Sequence, residues 1–135
     1  MNSVAIEECL REAVNYINNV VSQNVVLLDV ENDVVRLKLQ DIYYFEFVNR
    51  KVKVVSNHDN DVYIRTSLKN ILEKIQDDNF GVPHKAFIVN YFYIKRIKGN
   101  SIWLLNEETI PVAQKRAANF KKEYFDFLHK VYSFI

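Results

Sequence analysis

Ile42-Tyr43-Tyr44-Phe45-Glu46-Phe47-Val48-Asn49-Arg50-Lys51-Val52-Lys53-Val54-Val55-Ser56 reads as two extended segments around a two-residue polar tip. Residues 42–48 are apolar or aromatic except for Glu46, a composition suited to a strand and a run too short for a buried helix. Residues 51–56 begin by alternating Lys51-Val52-Lys53-Val54, the period of two of a half-buried strand. Asn49-Arg50 has the length of a tight hairpin loop. Glu46, if its side chain turns inward, needs a backbone N–H or a cation as partner.

Working outward, the period of two persists. Residues 25–30 and 34–39 flank the polar Glu31-Asn32-Asp33 and form a hairpin. A strand over 62–66 follows the polar loop 57–61, and Leu68, Ile71, Leu72 and Ile75 share one face of a short helix over 68–75. Residues 87–89 make a brief strand. Residues 94–98 and 101–105 pair across Gly99-Asn100, and 109–112 form a last strand after the turn at 106–108. A closing helix over 114–133 carries Phe120, Tyr124, Phe127, Leu128 and Val131 as its stripe. At the other end, Asn2-Ser3 caps a helix running to about residue 22, with Val4, Ile6, Leu10, Ala13, Val14, Ile17, Val20 and Val21 at helical spacing. The expected fold is mainly β: a compact domain of about eight or more short, mostly antiparallel strands in small sheets. One short internal helix, a C-terminal helix and an N-terminal linker helix complete it. Residues 1–24 are the helix or linker and 25–135 the domain.

The composition closes several routes to function. The 135 residues, 49% hydrophobic and 26% charged, suffice for one core. With only two glycines, Gly81 and Gly99, neither a GxGxxG turn nor a GxxxxGK[ST] phosphate loop can be written. A single cysteine, Cys9, excludes an intrachain disulfide or a cysteine-based zinc site and fits a reducing cytoplasm. No apolar run approaches a membrane span of roughly 18 residues, and no basic-then-apolar signal pattern opens the chain. Candidates for catalysis are sparse. His58, Asp59 and Asp61 share a polar loop and are conceivable metal ligands, but no further ligand stands at a recognisable spacing. His129 lies beside the stripe of the last helix, and Cys9 has no neighbouring base, so no nucleophile–base set emerges and no enzyme is expected. No cofactor or metal is called for.

The net charge of +1 averages two unlike parts. Residues 1–34 hold one base against six acids, and the remainder seventeen bases against eleven acids. Sign asymmetry of this kind points toward nucleic acid. The cations of the basic part cluster at turns: Asn49-Arg50-Lys51 with Lys53, His84-Lys85, Gln114-Lys115-Arg116, and Lys95, Arg96 and Lys98 before Gly99-Asn100. There they can meet a phosphate backbone, and Arg, Lys, Asn and Gln are also the side chains that bond base edges.

Several of these stretches resemble the LytTR family of DNA-binding domains. Ile42-Tyr43-Tyr44-Phe45-Glu46, then Asn49-Arg50-Lys51-Val52, then Tyr63-Ile64-Arg65-Thr66-Ser67-Leu68 is similar to that family's opening strand, polar tip and helix entry. Phe80-Gly81-Val82-Pro83-His84-Lys85-Ala86-Phe87-Ile88-Val89-Asn90 resembles its most specific segment. Tyr93-Ile94 and Ile110-Pro111-Val112 follow in the family order. Pro83, Ala113 and Val52 depart from the pattern, at positions where relatives carry polar or aromatic residues.

The resemblance, over about residues 25–128, implies a cytoplasmic bacterial transcription regulator that reads double-stranded promoter DNA, at paired sites, through major-groove loops. The loops it implies are Asn49–Val52 with Lys53, His84-Lys85 and Gln114–Arg116. It further implies a response-regulator output domain. The receiver that usually precedes it is missing from this chain or absent, and the apolar stripe of the first helix is the candidate homodimer contact. The rival readings are a protein-interaction module, such as a LytTR-like antagonist of a related regulator, and a single-stranded RNA binder using exposed aromatics. A helix-turn-helix over 67–90 fails because Gly81 and Pro83 interrupt its second helix. Glu46 and Asn90 are read as structural residues.

Overall fold

The computed structural model describes residues 24–28, 34–57 and 60–132. Among these, ten strands and two α-helices follow one another: β1 (Asn24–Leu28), β2 (Val34–Lys38), β3 (Ile42–Val48), β4 (Lys51–Ser56), β5 (Val62–Ile64), α1 (Leu68–Ile75), β6 (Phe80–His84), β7 (Phe87–Asn90), β8 (Ile94–Lys98), β9 (Ser101–Leu104), β10 (Thr109–Pro111) and α2 (Ala117–Val131). Single 3-10 turns lie at Leu39–Asp41, Tyr91–Tyr93 and Gln114–Arg116. The strands form a β1-β2 ribbon, a five-stranded sheet in the order β5-β4-β3-β7-β6, and a three-stranded sheet in the order β10-β9-β8. Every pairing is antiparallel. This is the mainly β architecture with internal and C-terminal helices that the periodicities predict. The expected N-terminal helix, the turn at 31–33 and His58 and Asp59 lie outside the described residues.

The five-stranded sheet is apolar on both faces, which is why β3 reads as a nearly continuous hydrophobic run. Phe45, flanked by Val54 on β4 and Ile88 on β7, faces a core with Val52, Ile64, Leu37 and Leu39, covered by Ile71 and Ile75 of α1. Tyr44, flanked by Val55 and Val89, faces a second core closed by Ile102, Leu104 and Ile110 of the smaller sheet and Phe120 and Phe127 of α2. A fully buried side chain such as Phe45 contributes roughly 1.5–3 kcal/mol. Glu46 is half-buried and stands opposite Lys53 in the register. α1 starts where the Ser67 Oγ accepts the Asn70 N–H at 3.2 Å and stops where Gln76 turns left-handed.

Asn90 does the structural work expected of it. It is 1% exposed; its Nδ2 donates to the Ile42 carbonyl at 2.9 Å and its Oδ1 accepts the Phe92 N–H at 3.0 Å. One side chain thus ties the end of β7 to the start of β3.

β6 departs from the sequence expectation, which resumes strand structure only at residue 87 and places His84 in a loop. A sequence holding Gly81 and Pro83 is a poor interior strand, but β6 is an edge, where a missing N–H is tolerated. Its register with β7 breaks between Gly81 and His84. Gly81 is there for close approach: a Cβ would lie 2.5 and 2.6 Å from two Tyr91 ring carbons. The Tyr91 ring in turn packs among Phe120, Tyr124 and Phe127 of α2, with its hydroxyl donating to Glu123 at 3.3 Å. The C-terminal helix is also preceded by a 3-10 turn at Gln114–Arg116, so its α-helical part begins at Ala117.

Candidate nucleic-acid interface

The strand directions put the basic turns at one edge of the molecule. β3 ends at Val48, and its pairing with β7 brings the Phe47 N–H onto the Ala86 carbonyl at 2.8 Å. The β3–β4 turn, Asn49-Arg50, and the β6–β7 turn, Lys85-Ala86, therefore leave the five-stranded sheet side by side. Two further main-chain bonds extend the row. The Ala113 N–H donates to the Pro83 carbonyl at 2.8 Å, which sets the Gln114–Arg116 turn next to the end of β6. The Val112 N–H donates to the Asn100 carbonyl at 2.8 Å, which sets the β8–β9 turn beside it. The four segments 48–51, 84–87, 98–101 and 113–117 hold Arg50, Lys51, Lys85, Lys98, Lys115 and Arg116 and not one Asp or Glu.

The expected residues lie on or beside this edge, except Lys53, which stands further back in β4. Asn49 and Arg50 are exposed and both left-handed, at φ 52° and 61°, the pattern of a type I′ hairpin whose twist matches its strands. Asn accepts this backbone readily, whereas an Arg there costs roughly 1–2 kcal/mol. A guanidinium is thus held at the outermost point of the hairpin against local preference. Lys51 opens β4 and is half-buried. Lys53 sits two residues further into β4 and pairs with Asp61 at 3.6 Å. His84 closes β6; its Nδ1 accepts the Ala86 N–H at 3.1 Å and its ring packs edge-on to Phe87 at 5.7 Å. Lys85, Gln114, Lys115 and Arg116 are exposed.

Arg65, exposed just beyond β5, lies at this edge as well, because β5 pairs with β4 through Ile64 and Val52. In the sequence it stands only as part of a helix entry; the signal for its position is that β5 returns antiparallel to β4. Of the β8 cations, Lys95 is drawn to the opposite end, 3.6 Å from Glu107, and Arg96 lies over the Trp103 ring at 5.8 Å. Lys98 has no described carboxylate partner.

The opposite end of the strands is different in chemistry. Asp41 precedes β3, Asp77 and Asp78 precede β6, and Glu107 and Glu108 precede β10. A cleft of about 520 Å³ opens there among Asp77, Asp78, Asn79 and Lys130. Its carboxylates repel a polyanion, so the basic edge and this cleft are places of opposite character. Buried phenols line the second core nearby: burial first, then the Glu108 carboxylate 2.5 Å away, push the Tyr44 hydroxyl well above the usual phenol range. Burial and Glu123 do the same to Tyr91. Among the described residues no three of His, Cys, Asp and Glu are grouped to hold a metal ion, and no helix is long and apolar enough to cross a membrane.

A family model for the LytTr DNA-binding domain matches residues 32–124. Among solved structures, a LytTr DNA-binding domain of a methyl-accepting/DNA response regulator from Bacillus cereus is similar in fold. The match has a TM-score of 0.65 at 24% identity and covers 75% of this chain and 95% of that one. No curated protein matches significantly.

Proposed function

The chain belongs to the LytTR family of DNA-binding domains, and from that premise we propose that it reads double-stranded promoter DNA in sequence-specific fashion as the output domain of a bacterial transcription regulator. The observation that carries this reading is the acid-free row of basic turns on one edge. In it, Asn49, Arg50 and Lys51 form one reading loop, His84 and Lys85 a second, and Gln114, Lys115 and Arg116 a third. Two antiparallel hairpin tips and a helical turn are of a size to enter the major groove, where Arg, Lys, Asn and Gln find base-edge partners. Cations that meet phosphates instead release condensed counterions, which makes affinity strongly salt-dependent.

The supporting residues have separate duties. Lys53, tied to Asp61, stiffens the strand behind the first tip. His84 uses Nδ1 as an acceptor for Ala86, so in the neutral ring Nε2 carries the hydrogen and is the donor left for DNA. Binding calls on no cofactor and no bond is made or broken, so the reading is of a binder and not of an enzyme. Its place of action is the cytoplasm, where the promoter is.

Selection from a randomised duplex pool, followed by fluorescence anisotropy over a salt series, tests the reading. An enriched motif and a log–log slope near −0.9 per phosphate contacted are expected. Absence of duplex binding at low salt overturns it and favours a protein-interaction module, an antagonist of a related regulator.

A further inference from the structure

We propose that the β8–β9 turn is a fourth DNA-contacting element, with Lys98 taking a backbone phosphate beside the groove entered by the Gln114–Arg116 turn. The inference rests on the DNA-binding reading above and extends it to a segment outside the three reading loops.

The turn is fixed relative to the third loop by the main chain. The Asn100 carbonyl accepts the Val112 N–H and the Pro83 carbonyl accepts the Ala113 N–H, both at 2.8 Å. Residues 112 and 113 thereby join β6, the β8–β9 turn and the start of the 3-10 turn through backbone contacts that no side-chain change removes. Lys98 faces Ser101 in the register as the last residue of β8. Gly99 then turns the chain at φ 59°, a left-handed position at which no side chain crowds the tip. Lys98, Gly99 and Asn100 are all exposed.

The three cations of β8 divide by their engagements. Lys95 answers Glu107 and Arg96 covers Trp103, which leaves Lys98 to face outward at the basic edge. A lysine is a compact point charge that suits a phosphate better than a base edge. Lys98 therefore adds affinity and register without adding sequence preference.

The test uses the whole chain and a short random-sequence duplex, with anisotropy over a salt series for the unsubstituted protein, Lys98→Ala and Lys74→Ala. Lys74, in the last turn of α1, removes the same charge away from the basic edge. Lys98→Ala is expected to flatten the salt slope by about one and to weaken binding roughly five- to tenfold near 0.1 M salt. The motif recovered from a randomised pool stays as it is, and Lys74→Ala leaves the slope unchanged. An unchanged slope for Lys98→Ala overturns the proposal, as does an equal flattening by Lys74→Ala, which would make the effect one of net charge. A changed motif in Lys98→Ala overturns the assignment to phosphate. If the unsubstituted chain shows no salt-dependent duplex binding, the DNA reading itself fails and takes the fourth contact with it.

Discussion

At the end of the strands away from Arg50, carboxylates are tied into the fold. Glu108 accepts the Tyr44 hydroxyl at 2.5 Å, Asp77 accepts the Asn79 N–H at 2.8 Å, and Glu107 meets Lys95 at 3.6 Å. At the near end Arg50, Lys85, Lys98, Lys115 and Arg116 stand exposed, and no described carboxylate pairs with them. The acids of one end satisfy the protein's own donors. The bases of the other meet no described carboxylate, and since surface ion pairs contribute little to stability, leaving them so costs the fold almost nothing.

This contrast breaks most sharply if the near end proves structural. Lys115→Ala combined with Arg116→Ala should flatten the salt slope by nearly two and weaken duplex binding on the order of fiftyfold near 0.1 M salt. The denaturation midpoint should stay in place. A loss of stability without a loss of affinity would reverse the roles of the two ends.

At the far end the expected effect is on folding. Asn90→Ala strands the Ile42 carbonyl and the Phe92 N–H in a buried site and should cost about 2–3 kcal/mol in chemical denaturation. The protein that remains folded should bind duplex as before. A smaller change with opposite signs belongs to Arg50→Gly: relief of a left-handed Arg should stabilise the hairpin by about 1 kcal/mol while duplex affinity falls several-fold. If stability and affinity move together there, the Arg is held for the fold and not for the partner.

The least effect near neutrality is an alkaline one. Tyr44 and Tyr91 titrate above their unfolded value near 10, so the stability they confer is complete below that pH and is lost as pH rises beyond it. Denaturant midpoints should fall from about pH 10 upward, and Tyr44→Phe should make that fall shallower. An unaltered profile would remove the Tyr44–Glu108 pair from the far end's account.

Much of this was legible from short-range pattern. The β3–β4 hairpin and α1 follow from alternation and from the Leu68, Ile71, Ile75 spacing, because each element needs only its own neighbours to declare itself. β6 did not declare itself, since Gly81 answers to the Tyr91 ring ten residues on and Pro83 is acceptable only because that strand is an edge. The basic turns were each visible as loops. Their meeting on one edge was not, because it depends on the β3–β7 pairing and on the Val112 and Ala113 bonds, which join segments far apart in the chain. Lys53 and Arg65 show the same limit: the strand register, not local charge, sets the first within β4 beside Asp61 and brings the second to the edge.

The placement of turns also has a kinetic meaning. In antiparallel strands successive turns fall at alternate ends, and here Asn49-Arg50, Lys85-Ala86, Gly99-Asn100 and Gln114–Arg116 share one end while Asp77-Asp78 and Glu107-Glu108 share the other. A body so polarised experiences a torque in the field of a polyanion before any contact forms. On the proposed DNA-binding reading it arrives with its basic edge leading, and a larger fraction of collisions is productive than random tumbling allows. On that reading the charges at the acidic end belong to the association rate.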